Sequence, residues 1–154
     1  MVASRKRAIA QFQLGRHLPH LLRRAHFEAE ARFVDVYGPE ITSRQLALLV
    51  SVAQHGPLSQ AEVARRIGLD ANTCSDLVRR AVQRGWLLRR ADPADARARV
   101  LELSVAGLQV VEHIALPGAA PYADAVAGRL TAAEGARLVA LLRKLLGLHD
   151  EPPG

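Results

Sequence analysis

The spacing of apolar positions divides the chain into helices, with one short interval of two-residue alternation. Leu14, Leu18, Leu21, Leu22, Ala25, Ala29, Phe33 and Val36 recur at helical spacing. Pro19 is compatible with a helix only in its first turn, so the regular helix is predicted to begin near His17 and to end at Gly38-Pro39. Thr42 and Gln45 form a capping box that opens a second helix through Leu46, Leu49, Val50 and Ala53, closed by Gly56-Pro57. Ser59 and Glu62 repeat the device, with Val63, Ala64 and Ile67 turned inward and Gly68 as breaker. Asp70 can then cap a fourth helix by accepting from the amide of Asn72 or Thr73. Cys74, Leu77, Val78 and Ala81 form its apolar stripe, and Gly85 suits a left-handed terminus. The period now changes. Leu87 to Arg90 and Arg99 to Leu103 read as strands, Leu101 and Leu103 alternating against Val100 and Glu102, with Asp92-Pro93 turning between them. Ser104 caps a further helix through Leu108, Val111 and Ile114, which Pro117-Gly118 and Pro121 are expected to interrupt or kink. A third capping box, Thr131 with Glu134, opens the last helix through Leu138, Leu141, Leu142, Leu145 and Leu146, and the tail D-E-P-P-G is expected to fray.

A short helix, a glycine turn, a second helix with a donor-rich outer face and then a hairpin make a winged helix-turn-helix. The outer face of the second helix carries Asn72, Asp76, Arg79 and Gln83, flanked by Thr73, Ser75 and Arg80. From Arg79 to Arg99 stand seven Arg against two Asp, a local cation lying on the two elements that would meet DNA. Asn72, Thr73, Ser75 and Asp76 occupy the end that normally enters the major groove. Asn72 can pair with adenine; Asp76 either accepts from cytosine or merely complements the helix dipole. Arg79 and Arg80 reach base edges or phosphates, Arg99 a phosphate, and Ser59 and Gln60 are candidate phosphate donors. Trp86 reads as a plug between wing and helix rather than a base-stacking group.

The run from T-S-R-Q-L-A-L-L through D-P-A-D-A-R-A-R-V-L-E-L-S-V-A-G resembles the MarR family of bacterial transcription regulators, and the resemblance extends from about Leu14 to Leu146. The D-x-R wing motif stands as Asp95-Ala96-Arg97, followed by L-x-L-S-x-x-G where the family has L-T-x-x-G. The resemblance implies a homodimer on a palindromic operator, a repressor or less often an activator, whose DNA affinity answers to a small molecule. It also implies that Arg97 enters the minor groove with Asp95 orienting the loop. The family's helix after the wing usually runs unbroken, so the prolines there are a departure.

The expected fold is mainly α with a small β-hairpin wing: one MarR-like domain over 1–154, with a DNA-binding lobe at 39–103 and a helical dimerisation lobe from 1–38 and 104–154. The first and last helices carry more apolar surface than so small a winged lobe could cover, which predicts a second subunit. A chain of 154 residues suits one domain, and a net charge of +6 suits a polyanionic partner. The longest apolar run, Leu46 to Val50, is too short to span a membrane, and Gln11, Gln13, Arg16 and His17 interrupt any signal core after Arg5, Lys6 and Arg7, so a cytoplasmic protein is expected.

A single Cys excludes an intrachain disulfide. Cys74 falls on an inward stripe, which reads as a small buried hydrophobe rather than a peroxide sensor. His17 and His20, three apart, could share a zinc ion, but with neither CxxC nor HExxH no metal or other cofactor is expected. An anionic aromatic effector, whether an aromatic or phenolic acid or a related thioester, fits better. In MarR-like proteins the ligand cleft lies where the first helix meets the winged lobe, which points to Arg16, His17, His20 and Arg23. A zinc-responsive regulator and a winged helix used for protein contact are the alternatives. No nucleophile context or phosphate loop suggests an enzyme.

Overall fold

A computed structural model describes residues 5, 9–95 and 97–148; the tail after residue 148, Lys6, Arg7 and Ala96 of the wing motif lie outside them. A single 3-10 turn, Leu14–Arg16, leads into α1 (Leu18–Tyr37), with His17 as N-cap and Pro19 in the first turn, and Gly38 closes it at φ 75°. Then come α2 (Ser43–His55), β1 (Leu58–Ser59), α3 (Gln60–Ile67) and α4 (Ala71–Gln83). The hairpin β2 (Leu87–Ala91) and β3 (Arg99–Leu103) follows. Next are α5 (Val105–Val110), a π turn (Val111–Ala115), α6 (Leu116–Ala127) and α7 (Ala132–Leu145).

All three capping boxes form, each with both reciprocal hydrogen bonds. The core lies where α2, α3, α4 and the hairpin converge: Leu48, Leu49, Val63, Val78, Cys74 and Leu87 are its largest fully buried side chains. Phe33 from α1 and Val111 and Ala115 from the π turn extend it toward the helical lobe.

Three expectations are corrected. The sheet has a third strand: β1 pairs antiparallel with β3, Leu58 opposite Leu101 and Ser59 opposite Val100. Two residues carry too short a pattern to be read as a strand; β3's free edge recruits them. The alternation in β3 also fails, because Val100 is buried together with Leu101. As the central strand, β3 is flanked on both edges, and Val100 is covered without joining the main core cluster. Finally, Pro117-Gly118 and Pro121 do not break the helix. Helical backbone runs from Val105 to Ala127, and the disturbance is the π turn upstream, where the Leu116 amide donates five residues back to the Val111 carbonyl.

That segment is held to α1 by aromatic rings. Phe33, Tyr37 and Tyr122 form a cluster with centroids 4.5 to 5.7 Å apart. The Tyr37 hydroxyl donates to the Ala115 carbonyl (3.4 Å) and that of Tyr122 to Ala29 (3.2 Å). A Cβ at Gly118 would stand 2.2 Å from the Tyr37 ring, so glycine there is what admits the tyrosine.

The wing is tied back to α4 by the S-x-x-G element. The Ser104 amide donates to the Trp86 carbonyl (3.0 Å), its hydroxyl donates to the Gly85 carbonyl, and it accepts from the Gly107 amide (3.0 Å). A Cβ on Gly107 would lie 2.0 Å from the Trp86 carbonyl oxygen. Backbone cannot yield there as a flexible side chain would. Gly107→Ala is therefore expected to lower stability by about 3 kcal/mol or more, and Ser104→Ala by ~1 kcal/mol. Equal melting temperatures for Gly107→Ala and the wild type would refute the close approach.

Candidate nucleic-acid interface and ligand cleft

Helix α4 buries its apolar stripe of Cys74, Leu77, Val78 and Ala81 and so turns its polar face to solvent, and Asp70 fixes its first turn. Asp70 Oδ1 accepts from the amides of Asn72 and Thr73, both at 3.0 Å, and the Thr73 hydroxyl donates to Oδ2 at 2.6 Å. These bonds, Thr73's first, hold the Asp70 carboxyl below its ordinary pKa. Asn72, Ser75, Asp76, Arg79 and Arg80 are exposed. Asp76 and Arg79 are already partnered, Arg79 Nη2 donating to Asp76 Oδ1 at 3.0 Å. An exposed pair three residues apart is worth only a few tenths of a kcal/mol, so DNA can take over either partner. The Thr73 hydroxyl is committed to the cap, leaving acceptor capacity only.

Ser59 is tied up more completely. Its hydroxyl and amide donate to Glu62 Oε2 at 2.7 and 2.8 Å, and the hydroxyl accepts from the Glu62 amide at 3.2 Å. That network lowers the Glu62 pKa and leaves the Ser59 side chain no proton to offer a phosphate. Gln60 is half-buried, its carbonyl 3.7 Å from Cys74 Sγ.

At the wing tip Asp95 Oδ1 accepts the Arg97 amide at 2.9 Å, and the Ala98 amide donates to the Asp95 carbonyl at 2.9 Å. The aspartate thus shapes the loop, and the Arg97 side chain is exposed beyond it, as is Arg99 on β3. Arg90 stands 3.7 Å from Glu102 across the hairpin. Trp86 is half-buried against the core, as a plug would be.

Arg16, His17, His20 and Arg23 lie together at the N-terminal end of α1. Arg23 donates to His20 Nδ1 at 3.2 Å and sits 5.7 Å from the Phe27 centroid; the Phe12 and His17 rings are 5.5 Å apart. Within one protomer they do not reach the cleft between α1 and the winged lobe. Two adjoining hollows of about 400 and 420 Å³ are there, sharing Glu30, Ser43 and Arg44. One continues to His26, Ile67 and Leu69, the other to Thr73, Asp76 and Arg80 on α4. The Ser43 hydroxyl donates to Glu30 at 2.6 Å. Glu30, Ser43 and Arg44 were not singled out from the sequence. The available signal was His26 and Glu30, four apart on one helix face; their approach to the residues after the Thr42 cap is seen only in the fold. Among the described residues no group of three or more His, Cys, Asp or Glu is placed to hold a metal ion.

The model of the MarR family matches residues 41–98 of the chain. The HTH-type transcriptional repressor NicR of Pseudomonas putida is 32% identical over 136 residues, covering 88% of this chain and 85% of NicR. The chain belongs to the MarR family. Solved MarR-like neighbours agree in fold. The PcaV transcriptional regulator from Streptomyces coelicolor, in complex with its natural ligand, is 30% identical with a TM-score of 0.82, over 88% of this chain and 96% of that one. BpsR of Bordetella bronchiseptica, whose DNA binding is regulated by 6-hydroxynicotinic acid, is 29% identical with a TM-score of 0.82, over 87% of this chain and 96% of that one. The MarR-family reading of the sequence therefore stands, with its mainly helical winged fold: this is a transcription regulator with a DNA-binding winged helix, a family of regulators rather than enzymes. No helix among the described residues is long and apolar enough to cross a membrane.

Cys74, on the inward face of the MarR-type recognition helix, is fully buried, and burial followed by the Asp70 charge raises its pKa. A protonated, inaccessible thiol is a poor nucleophile. Cys74→Ala should cost ~1 kcal/mol of stability and leave DNA binding equally insensitive to mild peroxide. Peroxide that abolishes DNA binding in the wild type but not in Cys74→Ala would overturn the assignment.

Proposed function

We propose that the protein is a cytoplasmic homodimeric repressor that holds a palindromic operator and releases it when an anionic aromatic molecule binds. The observation that carries this reading is the exposed row Asn72, Ser75, Asp76 and Arg79 beside a wing whose tip presents Arg97. In this reading Asn72 and Ser75 meet base edges in the major groove, Asp76 accepts from cytosine, Arg79 and Arg80 serve bases or phosphates, and Arg99 serves a phosphate. Arg97 lies in the minor groove.

Dimerisation is supported by what one protomer leaves uncovered. Leu18, Leu21, Phe27 and Val34 on α1 and Leu138, Leu141 and Leu145 on α7 are exposed, and α7 buries no residue of its own. An apolar groove of about 730 Å³ between α6 and α7, lined by Tyr122, Val126, Leu130, Leu138 and Leu142, continues this surface. Two copies joined there would carry two α4 helices to successive turns of DNA, ~34 Å apart.

Release would follow from population shift, the ligand favouring a spacing of the recognition helices that DNA cannot accept. Arg16, His17, His20 and Arg23 offer donors for a carboxylate or phenolate, and Phe12 and Phe27 offer apolar surface for a ring. The regulation of BpsR by 6-hydroxynicotinic acid supports that ligand class.

Titration of two variants against the operator and a scrambled duplex at several salt concentrations tests the DNA assignment. Arg97→Ala should weaken both duplexes together and make the salt slope shallower by about one unit; Asn72→Ala should cost about 1–3 kcal/mol on the operator alone. Should Arg97→Ala lose operator binding with nonspecific binding and salt slope unchanged, the division of labour is wrong. For the effector, 6-hydroxynicotinic acid and related aromatic acids should raise the melting temperature, by about 2.7 kcal/mol of linkage at a hundredfold excess over Kd. Arg16→Ala and His20→Ala should remove that shift; a shift that survives both places the ligand elsewhere.

A further inference from the structure

We propose that Arg84 is a positioning residue: it locks the C-terminal end of the recognition helix to the loop between α1 and α2, and is not one of the arginines that bind DNA. In the sequence it is one of the seven arginines between Arg79 and Arg99, indistinguishable from the rest. In the fold the residue is exposed, as Arg79 is, but its guanidinium is engaged twice at once and by groups distant in sequence. Nη1 donates to the Glu40 carbonyl at 2.7 Å, across 44 positions of sequence, and Cζ lies 4.8 Å from the Trp86 ring centroid. The Arg84 amide closes α4 on the Arg80 carbonyl, and Gly85 next to it turns the chain at φ 71° toward β2. One residue therefore joins the end of α4, through its amide, to the entry of the wing and the loop that leaves α1, through its side chain.

That loop is itself well fixed. Gly38 ends α1, Ile41 is only 4% exposed, and Thr42 caps α2. Asp70 caps the first turn of α4 from within its own helix; Arg84 ties the last turn to Glu40, in the loop that follows α1. That tie sets where the end of α4 stands relative to the exit of α1. The inference rests on the dimer reading at this point, because α1 belongs to the helices that would join two copies and so set the distance between their α4 helices. The chemistry needs arginine: its planar cation stacks on the indole while directing an N–H at the carbonyl, whereas an ammonium carries no plane to stack.

The test uses the full chain, with wild type, Arg84→Lys and Arg84→Ala each selecting duplexes from a random pool. The variants are then titrated on the wild-type operator and a scrambled duplex over a range of salt. Wild type should recover paired half-sites at one spacing. Arg84→Ala should accept several spacings and lose about tenfold in the operator-to-scrambled ratio, with the salt slope unchanged. Arg84→Lys, which keeps the charge, should show the same change in smaller degree, and it carries the test if the alanine variant fails to fold. A slope shallower by about one unit in Arg84→Ala, with spacing and ratio as in wild type and full rescue by lysine, would identify a phosphate contact and overturn the proposal. So would variants identical to wild type in every readout. If the wild type itself recovers only single half-sites, the dimer reading fails, and Arg84 is then judged by the ratio and the slope.

Discussion

The architecture depends on the junction where the wing returns to the recognition helix. Ser104 joins two carbonyls, those of Gly85 and Trp86, to the first turn of α5, and Gly107 brings the helix within contact of the Trp86 carbonyl. These bonds connect the end of α4, the start of β2 and the helix that leads out to the apolar surface of α6 and α7. Because the contact is backbone against backbone, it does not relax by rotating a side chain. The reading helix, the wing and the outgoing helix thus hold one geometry.

Charge is distributed around that frame in two ways. Carboxylates inside the caps, Glu62, Asp70 and Glu134, are held below their ordinary pKa by hydrogen bonds from their cap partners, so they are ionised and committed to helix starts. Cations on α4 and the hairpin are held loosely, as in the exposed Asp76–Arg79 and Arg90–Glu102 pairs. Weak pairs of this kind restrain long side chains and give way to a phosphate at little cost. The tight interactions build the helices while the loose ones leave the surface available.

Between α1 and the π turn the chain spends three of its few aromatic rings. Phe33, Tyr37 and Tyr122 pack edge-on or tilted, and both tyrosine hydroxyls reach backbone carbonyls on the facing helix. Burial raises the pKa of both, consistent with phenols that serve as neutral donors. Pro117 falls in the first turn after the helix changes its hydrogen-bond period, whereas Pro121 lies inside α6; the helix continues through both and α6 stays against α1.

Local physics made much of this legible. Each capping box, the Asp70 cap, the inward stripe of Cys74, Leu77, Val78 and Ala81, and the turn at Gly85 depend on residues within a few positions of one another, and each stands where the spacing put it. The exposed row of Asn72, Ser75, Asp76 and Arg79 followed from the same helical period. What the sequence could not decide were relations between distant segments. Leu58 and Ser59 become a strand only because β3 offers an edge, Val100 is buried on a strand flanked at both edges, and the helix runs on through Pro117 and Pro121 after a π turn packed on Tyr37. Arg84 makes the same point about charge. Seven arginines look alike in sequence, and only the folded chain brings the Glu40 carbonyl and the Trp86 ring alongside Arg84, itself exposed like its neighbours. Local hydrogen bonds and periodicity are written in neighbouring residues, whereas burial and partnership belong to whatever the folded chain brings alongside.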